Sequence, residues 1–347
     1  MGSVERVRPQ QVTATALGTW PGTDAVEAAR ITRGELGDPH LPYLVQLPDR
    51  GVGSDDVGRT AALLVELPVD VQPFGWRLVD RPGADHRRAV SALSSDINVL
   101  ADVAGAEERR GPAIKVQLCG PWTMAAAIHL HYGERALLDY GARRDLGESL
   151  AAGLGAHLAR IATAVPGAAI TVQIDEPEIA RVLAGAIPTS SGYRTLRAID
   201  GSEVASAWEH TVRAAREGGA AEVVFALPAA GKPVELALRA QADGLALPLR
   251  GLGTSDWEQL ADAIEGGKGL WAGVVPVDDP AAAPPQVSRL VESVMRPWRG
   301  LGLAATDLAA LRVTPAGGLA GYTPGTARAV LTTLTGTARA LNDVMAD

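Results

Sequence analysis

The sequence is almost devoid of cysteine, has no long apolar run and lacks a secretory leader pattern. The single Cys119 excludes an intramolecular disulfide framework and a zinc cluster built from cysteines alone, and it agrees with a reducing compartment. No stretch of about 18 uncharged apolar residues occurs, so no membrane span is expected. Residues 1–11 are charged and lack the apolar centre of a signal peptide. We therefore expect a cytoplasmic protein.

The charge pattern and the missing phosphate motifs exclude further classes of partner. The 40 acidic residues exceed the 32 basic ones, and no basic tract is long enough to follow a nucleic-acid backbone. No Gly-x-Gly-x-x-Gly motif follows the first apolar run, and no Gly-Lys-Ser/Thr phosphate loop occurs. We expect a small-molecule ligand and no nucleic acid, while the sequence does not indicate an oligomeric state.

Eight apolar runs predict strands, and each of them is followed by an amphipathic stretch typical of a helix. The predicted strands are 12–20, 69–76, 113–120, 169–177, 222–228, 244–249, 270–276 and 311–318. The predicted helices are 24–36, 55–67, 86–104, 138–164, 202–217, 255–265, 285–298 and 326–346. This alternation predicts a single-domain (β/α)8 TIM barrel over residues 1–347, with an open doubly wound sheet as the alternative.

Two connections differ from the rest. Residues 39–53 carry several prolines and glycines and predict a short extra element, such as a hairpin, near the first strand. Residues 186–200 form a long polar loop beyond the fourth strand. A lid over a binding site and a tolerated surface insertion are both open for this loop.

In a barrel of this kind the functional residues lie at the carboxyl ends of the strands. The first four predicted strand ends carry polar or aromatic side chains: Thr19, Trp20, Gln72, Trp76, Gln117, Cys119, Gln173, Asp175 and Glu176. The last four, at residues 225–228, 246–249, 274–276 and 314–318, carry no Cys, His or Glu. This one-sided lining predicts a pocket that holds a polar head group against an apolar wall.

The adjacent carboxylates of Asp175 and Glu176 are the strongest candidates for a site. They end a buried strand, where two carboxylates need cationic or hydrogen-bonding partners. Asp175 is therefore a candidate ligand-binding group, and a structural pair bonded to neighbouring loops is the alternative. Glu176 precedes Pro177 and could equally cap the next helix.

The other polar and aromatic candidates leave two interpretations each. Gln72, Gln117 and Gln173 could line the pocket or fill layers inside the barrel. Trp20 could stack on a planar ligand or plug the barrel mouth.

Cysteine and histidine give weaker signals. Cys119 could be a nucleophile, although no histidine lies near it in sequence, and a buried inert thiol is the favoured alternative. His129 and His131 fall on a predicted helix and would face different sides, so a surface or packing role is favoured over metal binding.

Three motifs, in order, resemble the catalytic barrel of cobalamin-independent methionine synthase. They are Leu-Gly-Thr-Trp-Pro-Gly-Thr at 17–23, Leu-Cys-Gly-Pro-Trp-Thr-Met at 118–124 and Gln-Ile-Asp-Glu-Pro at 173–177. The wider superfamily also contains uroporphyrinogen decarboxylase and corrinoid-linked methyltransferases. The resemblance thus implies a (β/α)8 barrel more directly than it implies a reaction.

The family resemblance implies methionine biosynthesis by methyl transfer to homocysteine, activated by zinc on His, Cys, Glu and Cys ligands. Residues 225–228, 246–248 and 315–318 of this chain stand where those ligands should lie and carry none of them. The folate-stacking tryptophan of the family would fall near Ala127. We therefore expect no zinc and no folate donor, and the resemblance identifies no catalytic residue in this chain. The resemblance still implies the part of the family's site that binds the amino acid, with Asp175 holding the substrate ammonium and Thr19 holding its carboxylate.

Three functions stay open on the sequence. The first is a methionine synthase-like methyltransferase with a degenerate zinc site, acting on a different donor or acceptor. The second is a lyase similar to uroporphyrinogen decarboxylase, which needs arginines near the first strand, whereas Arg30 and Arg33 fall on a predicted helix. The third is a catalytically silent barrel that binds a ligand or partner.

Overall fold

A computed structural model describes residues 10–108 and 111–347. Its main element is a curled, parallel sheet of seven strands in the order β1-β9-β8-β7-β6-β5-β4. The strands are β1 (Thr13–Ala14), β4 (Ala113–Cys119), β5 (Ala169–Asp175), β6 (Ala220–Ala226), β7 (Gly244–Pro248), β8 (Gly269–Val275) and β9 (Leu311–Pro315). A separate antiparallel pair consists of β2 (Val69–Gln72) and β3 (Gly75–Leu78).

The helices alternate with these strands as the sequence predicts. They are α1 (Ala25–Glu35), α2 (Asp56–Ala61), α3 (Ala84–Gly105), α4 (Pro121–Ala127), α5 (Tyr140–Ala164), α6 (Ile179–Ala184), α7 (Gly201–Glu217), α8 (Lys232–Arg239), α9 (Thr254–Glu265), α10 (Val287–Gly300) and α11 (Pro324–Ala346). Short 3-10 turns occupy Pro48–Arg50, Ala136–Leu138 and Ala305–Ala310. None of the helices in the described ranges is long and apolar enough to cross a membrane.

Local sequence explains where the elements form. β4 and β5 are almost continuously buried because both faces of a parallel sheet are covered, which is why they appear as unbroken apolar runs in the sequence. Helix α7 begins at Asp200, whose side chain accepts a hydrogen bond from Ser202 N–H, and it buries one face that includes Val204 and Trp208.

The predicted second barrel strand, 69–76, is wrong. The chain reverses at Pro73 and Phe74 and returns antiparallel, so that Gln72 pairs with Gly75 in a hairpin outside the main sheet. Gly75 has φ +121, a backbone conformation that glycine adopts without steric cost. Pro73 has no N–H to donate to a ladder, so the run cannot continue as an inner strand. Gln72 and Trp76 therefore do not lie at a carboxyl end of the parallel sheet.

The segment 41–46 lies between the two edge strands of the main sheet. Leu41 N–H donates to the Ala14 carbonyl of β1, and Gln46 N–H donates to the Gly18 carbonyl. On the other side, Leu44 N–H donates to the Lys115 carbonyl of β4 at 2.8 Å. The extra element near the first strand is thus an extended segment and not a hairpin. The predicted α/β fold with a parallel sheet is confirmed, and the sheet curls as in a TIM barrel, but it has seven regular strands in the described residues and not the eight of the predicted closed barrel.

The inner face of the sheet combines an apolar cluster with buried polar groups. Leu41, Val224, Ala246 and Trp271 pack together there. Lys115 is fully buried on the same face, where its ammonium lies 5.8 Å from the centre of the Trp271 ring. The interior therefore places this apolar cluster against the buried lysine of β4.

Candidate functional site

A cleft of about 400 Å³ opens at the carboxyl ends of β4 and β5. Residues from five parts of the chain line it: Asp56, Val57, Cys119, Thr123, Ala126, Ala127, Arg135, Pro177, Glu178, Arg181, Ile187 and Pro188. Cys119 is the register partner of Asp175 on the neighbouring strand, so Asp175 stands directly beside the cleft wall. Parallel pairing of β4 with β5 therefore places Asp175 on the strand next to a residue that lines the cleft, at the carboxyl edge of the sheet.

A chain of hydrogen bonds leads from the cleft into the sheet. Gln173 Nε2 donates to Asp175 Oδ1 at 2.6 Å, and Lys115 Nζ donates to Gln173 Oε1 at 2.6 Å. Gln173 Nε2 also donates to the Leu17 carbonyl at 2.9 Å. Gln173 is completely buried, whereas Asp175 is partly exposed. Gln173 thus links a buried ammonium to a carboxylate at the cleft.

Burial favours the neutral forms of Lys115 and Asp175, the two ends of this chain of hydrogen bonds. It lowers the pKa of Lys115 to about 7, against the attraction of Asp175, and the positive charge of Arg312 lowers it further. Burial also raises the pKa of Asp175 to about 8, while the Gln173 hydrogen bond and the Lys115 charge oppose the rise. The negative charges of Asp56 and Glu176 add to the rise. The ionisation of Asp175 therefore depends on groups on β4, α2 and its own strand.

Sequence reasoning missed Lys115. The available signal was a lysine inside the apolar run Ile114-Lys115-Val116 of a strand that is buried on both faces. A buried lysine needs a partner, so this position should have been paired with a polar residue on a neighbouring strand.

Glu176 is enclosed by hydrogen-bond donors. Its Oε1 accepts from Trp122 N–H and Trp208 Nε1–H, and its Oε2 accepts from the N–H and the hydroxyl of Thr123. Gly120 leaves room for the carboxylate, since a Cβ there would lie 2.2 Å from Oε1. Burial raises the pKa of Glu176 to about 6, and the hydrogen bonds from Thr123, Trp208 and Trp122 limit the rise. Glu176 caps α4, which precedes it in the chain, and joins it to α7.

Cys119 and Asp56 form another part of the cleft wall. Cys119 is buried, and burial raises the pKa of its thiol, with the nearby Asp56 and Asp175 charges adding to the rise. A thiol in this state is a poor nucleophile. The Asp56 side chain is accessible from the cleft, yet desolvation there and the neighbouring Asp55 raise its pKa.

Two candidate residues of the first strand lie near the loop that follows β9. Thr19 is partly exposed, and its hydroxyl accepts a hydrogen bond from Leu319 N–H at 3.1 Å. Trp20 is 1% exposed, which agrees with a packing role.

The remaining glutamine and histidine candidates have defined local partners. Gln117 Nε2 donates to the Leu44 carbonyl at 2.6 Å, which ties β4 to the segment 41–46. Gln72 lies on the hairpin described above. The prediction that His129 and His131 lie on a helix is wrong, because α4 ends at Ala127. The ring of His129 packs edge-on against Phe74 of the hairpin, with ring centres 5.0 Å apart.

The loop 186–200 contributes to the cleft through Ile187 and Pro188. It folds on itself through an antiparallel bridge between Pro188 and Thr195. Ser190 N–H donates to the Glu134 carboxylate at 3.0 Å, and Arg135 Nε donates to the Pro188 carbonyl at 3.0 Å. The loop is therefore fastened to residues 134–135 at one edge of the cleft.

The carboxyl ends of β6, β7 and β9 carry no metal-binding side chain. The residues there are Ala226, Leu227 and Pro228, then Leu247 and Pro248, then Ala316, Gly317 and Gly318. Within the described part of the chain, no three His, Cys, Asp or Glu side chains are grouped so as to hold a metal ion. The donor set at these strand ends does not fit a His, Cys, Glu, Cys zinc site.

Arg30 and Arg33, the arginines near the first strand that bear on a decarboxylase-like site, do not line the cleft. Arg33 is buried and forms a paired hydrogen bond with both carboxylate oxygens of Glu107 at 2.6 Å. Arg30 is exposed on α1. The structure therefore gives no support to the lyase alternative at these residues.

Comparison of the fold with solved structures points to one class of barrel. A B12-independent methionine synthase from Shewanella sp. W3-18-1, solved in complex with selenomethionine, superposes with a TM-score of 0.62 and 12% identity. The match covers 98% of this chain and 99% of that one. A proposed fructose-1,6-biphosphate aldolase from Coccidioides immitis matches with a TM-score of only 0.30, at 14% identity over 72% of this chain and 84% of that one. No protein-family model and no curated protein matches the sequence. The first comparison establishes a methionine synthase-like, TIM-like fold, and at 12% identity it establishes the fold alone.

Proposed function

We propose that this protein is a methionine synthase-like barrel that binds a small amino acid, or a molecule with the same head group, in the cleft beside Asp175. The observation that carries the proposal is the position of the Asp175 carboxylate, which stands next to the cleft wall and is held from behind by Gln173. A carboxylate so placed favours a cationic amine, because opposite charges stabilise each other strongly in a partly desolvated site. The full-length likeness to a methionine synthase supports the same class of ligand.

The charges of the cleft wall suit a zwitterion. Asp56 in the cleft wall and Asp175 on the strand beside it supply negative charge for an ammonium group, and Arg135 supplies positive charge for a carboxylate. Arg181 also lines the cleft but is paired with Glu178 at 2.7 Å. Arg135 is partly buried, and its Nε and Nη1 atoms are bound to the carbonyls of Pro188 and Ala126. Its Nη2 has no hydrogen bond within the described residues, so it is our candidate for the ligand carboxylate.

We assign ligand binding to the cleft and do not assign zinc-dependent thiol methylation. The strand ends of β6, β7 and β9 offer no ligands for the metal that would convert a substrate thiol to a thiolate. Cys119, with its raised pKa, does not supply a substitute nucleophile. If the protein transfers a methyl group, its acceptor must be activated by other means.

We expect calorimetric titration with methionine and homocysteine to detect binding that depends on Asp175. Asp175→Asn preserves the shape of the side chain but removes its charge, and the loss of one charge-assisted hydrogen bond corresponds to roughly 10- to 100-fold weaker binding. Asp145→Asn, on the exposed face of α5, is the matched control and should bind as the unchanged protein does.

Two results would count against the proposal. Equal affinity in Asp175→Asn and the unchanged protein would remove Asp175 from the site. Absence of binding of either amino acid to the folded protein would favour a silent barrel.

A further inference from the structure

We propose that Lys115 is a positioning residue that acts through the side-chain amide of Gln173 to orient Asp175 and to favour its ionised form, as an acceptor for the cationic group of the ligand. The inference rests on the proposed function for its ligand, but the link between the three residues can be tested without one. Neither the strand-end pattern nor the family resemblance assigns a role to Lys115.

The orientation of the Gln173 amide decides which atoms donate and which accept along this chain of hydrogen bonds. Its Nε2 has two protons, which go to Asp175 Oδ1 and to the Leu17 carbonyl. A backbone carbonyl can only accept a hydrogen bond, so Leu17 fixes the amide with Nε2 toward Asp175 and Oε1 toward Lys115. In this orientation Asp175 Oδ1 acts as an acceptor, as an ionised carboxylate does, and the Lys115 ammonium supplies the proton to Oε1.

The surroundings of Lys115 make its ammonium dependent on this chain of hydrogen bonds. It is 0% exposed, and Gln173 Oε1 is the only hydrogen-bond acceptor that its Nζ has in the described part of the chain. The Tyr43 and Trp271 rings lie 5.1 Å and 5.8 Å from Nζ, and ring faces stabilise a cation. These rings offer no counter-charge, so Asp175 is the carboxylate whose charge acts on Lys115.

The charged groups that face this pair come from three further elements and from Glu176, the residue that follows Asp175. Arg312 of β9 lies across the Trp271 ring, at 4.9 Å, and is paired with Glu222 of β6. On the other side, Asp56 of α2 and Glu176, just after β5, both disfavour a negative charge on Asp175. Removal of the Lys115 ammonium would therefore remove the cation whose charge lowers the pKa of Asp175 and leave the charges of Asp56 and Glu176 to raise it, so Asp175 would keep its proton to higher pH.

The first experiment follows the Asp175 carboxyl by ¹³C NMR as a function of pH in the ligand-free protein. The Asp175→Asn spectrum identifies the signal. In Lys115→Met, which keeps the length of the side chain, we expect the titration midpoint of Asp175 to rise by at least about one pH unit, which is a tenfold change. Gln173→Leu, which breaks both bonds of the chain, should shift it in the same direction. Lys232→Met, at an exposed lysine of α8, should not shift it.

The second experiment measures methionine affinity at pH 7 in the same variants and in Lys115→Met combined with Asp175→Asn. We expect Lys115→Met to bind methionine at least tenfold more weakly than the unchanged protein. In the Asp175→Asn background, Lys115→Met should cause no further loss, whereas a variant that had merely lost packing would weaken binding in both backgrounds.

The two experiments separate the two proposals. An unchanged Asp175 midpoint in a folded Lys115→Met protein would overturn the positioning role, even if methionine binds. A raised midpoint in a protein that binds neither methionine nor homocysteine would sustain the positioning role and overturn the proposed function.

Discussion

Glu176 shows what a carboxylate needs in order to be completely buried. It accepts four hydrogen bonds from three residues, and those residues belong to two helices that are remote from each other in sequence. Asp175, one position earlier, has a single side-chain hydrogen bond, from Gln173. The adjacent carboxylates therefore have different surroundings: Glu176 is enclosed by donors in the protein interior, and Asp175 is partly exposed.

We expect Glu176→Ala to destabilise the protein strongly. The change leaves two backbone N–H groups, a hydroxyl and an indole N–H without an acceptor in the core, and each unsatisfied buried donor costs about 1 to 3 kcal/mol. Allowing for rearrangement, we expect the free energy of unfolding in urea to fall by at least about 3 kcal/mol. Glu292→Ala, at an exposed position of α10, is the control. A loss below about 1 kcal/mol would contradict the capping role of Glu176.

At the scale of elements, a buried cluster of charges positions α2 and with it Asp56 at the cleft. Asp96 of α3 accepts hydrogen bonds from Arg59 of α2 and from Arg50 in the preceding 3-10 turn. Arg59 and Asp96 are both nearly inaccessible to solvent. Such a pair fixes the relative position of its elements, because either charge alone would be buried without compensation.

His157 of α5 lies beside this cluster and makes it sensitive to acid. Burial lowers the pKa of His157 to about 3, and the charges of Arg59 and Arg160 lower it further. Since the folded-state pKa lies below the ordinary value of 6.5, the neutral ring stabilises the fold at neutral pH. This contribution is lost as the pH falls below 6.5 toward 3, because the unfolded chain then binds a proton that the folded chain does not.

We expect His157→Leu to reduce the acid sensitivity of the protein. The His157 contribution to the free energy of unfolding should fall by roughly 2 kcal/mol between neutral pH and pH 5, and the variant should lack this part of the decrease. Urea unfolding at both pH values measures it, with the exposed His131→Leu as the matched control. If His157→Leu shows the same decrease as the unchanged protein, the histidine is charged in the folded state.

The apolar periodicity of the sequence did not predict three short helices. α4, α6 and α8 have 7, 6 and 8 residues, which is too short for an apolar period to repeat. Longer helices such as α5 and α11 were predicted within a few residues of their observed ends, because several turns of periodic burial accumulate in them.

At the scale of the whole molecule, the seven-stranded sheet gathers polar groups at the ends of β4 and β5 and leaves the ends of β6, β7 and β9 without ligating groups. A family-type zinc site would need donors from several of these strand ends at once. The purified protein should therefore contain well under one zinc per chain by mass spectrometry, and a chelator should change neither its melting temperature nor its methionine affinity. Zinc near one per chain would show that the matching of the strand ends to the family is wrong.

The alternation of strands with the longer helices could be predicted from the sequence alone, except at the hairpin 69–78 and the three short helices, and so could the position of Asp175 at a strand end. Both depend on local patterns, namely buried runs followed by amphipathic stretches, and on the rule that parallel strands present their carboxyl ends at one edge. The hairpin at Pro73 was marked by its proline and glycine, but the apolar run around it outweighed that signal.

Tertiary structure decided which polar groups meet. Lys115 and Gln173 are 58 residues apart, and Glu176 and Trp208 are 32 apart. Strand register and helix packing set these contacts, and no local pattern records them. The same reason explains why segment 41–46, which lacks the periodicity of a strand, lies between β1 and β4: its backbone N–H groups find their acceptors on two edges that only the curled sheet brings within reach.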